Sequence, residues 1–249
     1  MELVLLTALG VGSATVFGSV IGFFVGKISH KFSDIILSFA AGVMLSAAVI
    51  GLIIPSLESG SDFSLLITIA GIFAGAFALN IIDKVVPHLH RLAGADIENH
   101  QKADLNRTLL FVSAIAIHNL PEGIAAGVSF GSGDTSHALM IAGGIALQNI
   151  PEGMIIISPL LLAGISRKRT FLIAAATGLI EVIGTFIGYF AISVSAAVLP
   201  FALAFAGGTM LYVVSDEMIP ETHHEGTPAV TYSLLLGFCL MLAGDVLLG

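Results

Sequence analysis

Tryptophan is absent from this 249-residue sequence, cysteine occurs once, and only 10% of the residues are charged. Soluble domains carry about a quarter charged residues. So thin a polar supply cannot coat a water-facing surface, and most of the exterior must therefore meet lipid. Basic residues are the scarcer sign, nine against seventeen acidic ones, for a net charge of −8. Nine Lys and Arg confined to short segments form no basic stripe, which argues against nucleic acid as a partner. The single cysteine, Cys239, excludes an intramolecular disulfide and a thiolate metal cluster. It stands in an apolar run and reads as a small buried hydrophobe. A phosphate-binding loop of the G-x-x-x-x-G-K-S/T type is missing, which argues against ATP drive within the chain. The opening Met1-Glu2 lacks the basic region of a cleaved signal peptide and reads as the start of a first span.

Hydrophobic residues make up 56% of the chain, with a mean hydropathy of +1.02. A helix needs about 20 apolar residues to cross a bilayer. The sequence divides into eight such runs, which predicts an all-α polytopic membrane protein forming a single transmembrane domain. The helices are expected near residues 3–26, 34–54, 64–86, 108–130, 137–163, 170–193, 197–219 and 230–248. The division at 198–200 is the narrowest, and Pro200 favours a tight turn there. All nine basic residues fall on one face: Lys27 and Lys31; Lys84, Arg91, Lys102 and Arg107; Arg167, Lys168 and Arg169. Positive loops stay cytoplasmic, so both termini should be extracytoplasmic, in a plasma membrane of the bacterial inner-membrane kind.

Two internal echoes run through the spans. His118-Asn119-Leu120-Pro121-Glu122-Gly123 is matched by Gln148-Asn149-Ile150-Pro151-Glu152-Gly153 on the next helix. Phe39-Ala40-Ala41-Gly42-Val43-Met44-Leu45 is matched by Phe205-Ala206-Gly207-Gly208-Thr209-Met210-Leu211, on spans two and seven, which run in opposite directions. Inverted repeats of this kind recur in secondary transporters. Small residues suit any close helix packing, so chance similarity competes with a repeat for the second echo.

The ionisable residues inside the spans carry the chemistry. Glu122, Glu152 and Glu181 lie deep in apolar runs, and no Lys or Arg shares a span interior with them. A buried carboxylate costs several kcal/mol unless it is paired, so a cation from outside is the natural partner. His118 and Glu122 are four residues apart and share a helix face, and Gln148 and Glu152 repeat that spacing. Asn119 and Asn149 open a neighbouring ligand position about 100° around. Imidazole nitrogen with carboxylate oxygen suits zinc and its first-row neighbours. Pro121 and Pro151 each free a carbonyl at membrane depth, tolerable where it lines a cavity. Gly123 and Gly153 then admit a neighbouring helix or the ion itself.

These paired motifs resemble the fourth and fifth spans of the ZIP (Zrt/Irt-like) metal transporters, most closely the bacterial GufA-type branch. The resemblance covers essentially the whole chain. It implies a secondary transporter that imports divalent transition-metal cations, zinc foremost, with cadmium, iron, manganese and cobalt also fitting the donor set. By position it implies a first metal site of Met44, His118, Glu122, Gln148 and Glu152. A second would comprise Asn119, Asn149 and Glu181 and share Glu122 and Glu152. Some family members carry an acid where Asn149 stands, or a histidine where Gln148 stands. The resemblance also implies that spans one, four, five and six move as a block against the other four. A methionine in a span is ordinarily packing, and only the resemblance raises Met44 to a ligand.

An exit path is expected along Asp216, Glu217, His223 and His224, at the basic-loop end of span seven. The loop around His88, His90, Asp96, Glu98 and His100 reads equally well as solvated polar surface. No resident cofactor or catalytic residue is expected: the metal is cargo, and the partners are divalent ions and the bilayer, with a homodimer left open. Two rivals remain. An intramembrane zinc enzyme would carry H-E-x-x-H, whereas His118 is followed by Asn119. A passive channel would use its carboxylates as a ring.

Overall fold

The computed structural model describes residues 1–25, 29–60, 62–92, 100–223 and 227–248, with side chains described except at 85–92, 100–111, 114, 194 and 196. Every long element among them is helical: α1 (Glu2–Val25), α2 (His30–Leu57), α3 (Ser64–Leu92), α4 (His100–Ser129), α5 (Thr135–Leu162), α6 (Arg167–Val194), α7 (Leu199–Thr222) and α8 (Pro228–Leu248). Seven of these eight are long and apolar enough to cross a membrane over their described residues. The eighth, α4, has 30 residues and carries Pro121 in its interior. The chain is thus a multi-pass, all-helical membrane protein. Helices α3 and α4 extend well past residues 86 and 108, where apolar sequence stops, because polar residues continue a helix as readily as apolar ones once it has left the lipid.

Packing divides the helices into two sets. Extensive contacts join α4 to α6, α1 to α5 and α1 to α6; a separate group joins α3 to α7 and α2 to α8. One bundle is therefore α1, α4, α5 and α6, and the other is α2, α3, α7 and α8. Between them lies a seam of small and aliphatic side chains, including Ala40, Val43, Met44 and Ala47 of α2, Ala125 and Ala126 of α4, and Ile141 and Ile145 of α5. One interlock crosses it: the Cδ1 of Ile141 occupies the space where Gly51 of α2 lacks a Cβ.

Helices α2 and α7 share an irregularity. Each widens into a π-helical segment, Ala47–Ile53 in α2 and Val214–Met218 in α7, and each then closes with a short α-turn opening on Ile-Pro, Ile54-Pro55 and Ile219-Pro220. These features follow the Phe39–Leu45 and Phe205–Leu211 echo by the same distance to within one residue. Matching backbone irregularities favour a genuine repeat over chance similarity. π-segments also occur often at functional sites.

The outer surface is apolar, with Phe17, Phe24, Phe73, Phe77, Leu65 and Tyr232 among its exposed side chains. Cys239 joins them. The expectation of a buried cysteine is overturned, since Cys239 is exposed on α8. An apolar run in a membrane helix shows that a side chain avoids water. It does not show whether protein or lipid surrounds it.

Candidate metal centre

The two Pro-Glu-Gly turns face one another across α4 and α5. Gln148 Nε2 donates to Glu122 Oε1 at 2.8 Å and ties the two copies of the motif together. Both residues are fully buried, with Glu122 at 1% and Gln148 at 0% exposure. The glycines of the same turns admit neighbouring helices rather than an ion. A Cβ at Gly123 would collide with the backbone carbonyl of Glu181 on α6, and one at Gly153 with that of Thr15 on α1.

Those two contacted residues are hydrogen-bonded to each other. Thr15 Oγ1 donates to Glu181 Oε1 at 2.6 Å. Asn119 Nδ2 donates to the same oxygen at 2.6 Å. Asn149 Nδ2 donates to Glu181 Oε2 at 2.6 Å and approaches the Val11 carbonyl at 3.4 Å. The Glu181 carboxylate therefore gathers donors from α1, α4 and α5.

Four oxygens on these same turns have no hydrogen-bond partner among the described residues: Asn119 Oδ1, Glu122 Oε2, Gln148 Oε1 and Asn149 Oδ1. All are buried acceptors in apolar helices. An unmet buried acceptor costs roughly 1–3 kcal/mol, so four on these turns make them a candidate site for a positively charged partner.

His118 faces elsewhere. Its Nε2 lies 2.7 Å from Glu217 Oε1, on the π-segment of α7, so this bond crosses the seam between bundles. Asp83 of α3 completes a trio: one ligand atom each from Asp83, His118 and Glu217 lie within 4.8 Å of one another. Histidine with two carboxylates is a competent donor set for zinc. His118 also borders a cavity of about 40 Å³ together with Glu152, Leu37, Ile115, Ile155 and Met218. It thus stands between Glu152 on one side and Glu217 on the other.

Of the predicted residues, the structure brings Asn119, Glu122, Gln148, Asn149 and Glu181 into hydrogen-bonded contact, and sets Glu152 beside His118. Met44 lies in the apolar core cluster. Asp216 and Glu217 fall on the π-segment of α7, Asp216 exposed and Glu217 half-buried. His223 donates from Nδ1 to the Ile219 carbonyl at 2.9 Å and so closes the end of its own helix. His224, Asp96 and Glu98 lie outside the described residues, and His88, His90 and His100 outside the described side chains.

Sequence reasoning missed Asp83, Asn80, Tyr212 and Thr15. Asn80 Nδ2 donates to the Tyr212 hydroxyl at 2.7 Å, linking α3 to α7 one turn from Asp83. Asn80 and Asp83 share a helix face inside an apolar run, a signal that was readable. Beside Lys84, however, Asp83 resembled an ordinary span end. Thr15 gave no signal, because threonine is common in membrane helices.

Comparison with known proteins places the chain in a family. The family model described as ZIP Zinc transporter matches residues 92–244. The chain is 38% identical to "Zinc transporter GufA" of Myxococcus xanthus, over 98% of both chains. It is 36% identical to "Zinc transporter ZIPB" of Bordetella bronchiseptica, over 95% of this chain and 78% of that one. It is also 36% identical to "Zinc transporter ZupT" of Chlorobaculum parvum, over 95% and 94%.

Proposed function

This chain belongs to the ZIP family of zinc transporters, and on that premise we propose how its residues carry a divalent transition-metal cation into the cytoplasm. The chain is a transporter and not an enzyme, and we read it as a carrier rather than a passive channel. Zinc is the foremost cargo, because a borderline cation suits one imidazole nitrogen among carboxylate and amide oxygens. The membrane is a bacterial inner membrane, with both termini outside.

The observation that carries the proposal is the set of four buried, unpartnered oxygens on the paired Pro-Glu-Gly turns. Glu122, Gln148 and Glu152 hold the ion with the carbonyl oxygens of Asn119 and Asn149, and His118 supplies the nitrogen. Met44 enters as a soft contact from across the seam. The arrangement of His118 in this structure supports a hand-off. With its ring near Glu217 and Asp83, the histidine reaches the opposite bundle while still bordering Glu152. An ion released from Glu152 would follow it to the Asp83–Glu217 pair, then past Asp216 toward the basic-loop face. Surface histidines such as His223 and His224 would meet it there.

The division into two bundles supports movement of α1, α4, α5 and α6 as a unit. The midplane oxygens and Glu181 all lie on that unit, so the ion would travel with it. Asp83 and Glu217 lie on the other, so their contact with His118 exists only in some positions of the slide.

Uptake of ⁶⁵Zn²⁺ into proteoliposomes tests the reading. Saturable uptake by the full chain, reduced to the level of empty vesicles by Glu152→Ala, is the expected result. Unchanged uptake in that variant, or flux that rises linearly without saturation, would refute a carrier working through this site.

A further inference from the structure

We propose that Glu181 is not a ligand of the transported ion but a positioning residue. It orients the amides of Asn119 and Asn149, and the centre then holds one ion at a time rather than two. The inference rests on the reading of the Pro-Glu-Gly turns as the cation site, and it changes the role of one member.

A carboxylate's chemistry limits what Glu181 can do. Ionised, it only accepts hydrogen bonds, with about four lone-pair positions over its two oxygens. Glu181 has Thr15 Oγ1 and Asn119 Nδ2 on Oε1, and Asn149 Nδ2 on Oε2. Oε1 is saturated and Oε2 has one position left. A cation could reach Glu181 only through that one remaining position on Oε2; at Oε1 it would have to displace Thr15 or Asn119.

The same bonds dictate which way each amide points. The group facing a carboxylate must be the NH₂, because a carbonyl there would set acceptor against acceptor. Asn149 is fixed twice, since its Nδ2 also faces the Val11 carbonyl. Each amide is planar, so sending its NH₂ to Glu181 sends its oxygen the other way. Those oxygens, Asn119 Oδ1 and Asn149 Oδ1, are two of the four unpartnered acceptors. Glu181 therefore converts two ambidextrous amides into two aimed carbonyl ligands. Outer partners of this kind orient ligands and commonly change metal affinity 10–100-fold when removed.

The backbone holds the arrangement rigid. Gly123 seats the backbone of Glu181 against α4, and Gly153 seats that of Thr15 against α5. The Thr15–Glu181 bond then spans the two seated helices, with Glu181 and Thr15 at 0% and 1% exposure. Asn149 is the decisive side chain. An aspartate there would put two carboxylates in hydrogen-bonding range, and a proton or second cation would be needed between them. Asparagine satisfies Glu181 without either.

The test counts and weighs bound zinc on the purified full chain in detergent, by calorimetry and metal analysis. Central sites are defined as those lost in Glu152→Ala, which removes surface histidines from the count. Wild type should show one central ion. Glu181→Gln should still bind one, with Kd weaker by tenfold or more, because glutamine can accept from one asparagine amide but not both. Thr15→Val should weaken binding in the same direction by a smaller factor. Asn149→Asp should raise the central count to two. A purely structural clasp would lower the melting temperature of the metal-free protein and leave Kd of the folded fraction unmoved, so both are measured. Two central ions in wild type, falling to one in Glu181→Gln, would overturn the proposal, as would an unchanged Kd in Glu181→Gln. If Glu181→Gln does not fold, Thr15→Val decides: an unchanged Kd in that variant overturns the proposal. No central ion in wild type would instead refute the cation site itself.

Discussion

Replacing Glu217 by glutamine should shift the chain away from the bundle arrangement in which His118 meets α7. The bond it weakens joins His118 Nε2 to Glu217 Oε1 at 2.7 Å, with side-chain exposures of 10% and 29%. A hydrogen bond to a charged group contributes about 1.5–3 kcal/mol, and one between neutral groups about 0.5–1.5. Glutamine keeps a neutral bond to the imidazole, so the loss is about 1–2 kcal/mol. His118 and Glu217 sit on different bundles, so under the proposed slide only one arrangement of the bundles makes the bond. The whole loss therefore falls on the equilibrium between arrangements. That corresponds to a population change of about 5–30-fold.

The readout is the reactivity of an introduced cysteine at the seam. Ile141 is 0% exposed and packs into the notch at Gly51. With Cys239→Ser as background, Ile141→Cys should react slowly with a membrane-impermeant maleimide added outside. Adding Glu217→Gln should accelerate that reaction by about 5–30-fold, in proportion to the open population. An unchanged or slower rate would show that the His118–Glu217 bond does not select between bundle positions.

Other consequences follow from single contacts. Gly153→Ala should lower stability in detergent by about 1–3 kcal/mol, as overpacking against the Thr15 carbonyl requires. Gly143→Ala, on the same helix with open space around it, should be neutral in the same melting assay. Tyr212→Phe removes the partner of Asn80 and should cost about 1 kcal/mol of stability while also slowing zinc uptake, since Asp83 lies one turn from Asn80. Wild-type thermal stability with uptake slowed would place the defect in transport alone. Cys239 should react with a lipid-soluble maleimide and resist a water-soluble one, and the opposite preference would put α8 in contact with water. His137→Ala should leave stability within about 0.5 kcal/mol of wild type, because its partner Asp245 is 3.9 Å away and both are partly exposed.

The amino-acid sequence by itself determined that this is a membrane protein of long apolar helices, and it singled out the two Pro-Glu-Gly turns as candidates for its chemistry. Lipid forces both signals into the open: a span must be apolar over its whole length, and a carboxylate inside one is costly enough to stand out. The pairing of Glu122 with Gln148 was foreshadowed by the repeated motif. What only the tertiary structure decided is who faces whom. Sequence spacing orders residues along one helix but says nothing about rotation or depth relative to another. Glu217 therefore meets His118 across 99 positions, Asp83 meets it from the preceding helix, and Thr15 reaches Glu181 across 166 positions. The same limit hid the direction of the asparagine amides. An amide offers a donor and an acceptor at once, and the neighbouring carboxylate chooses between them.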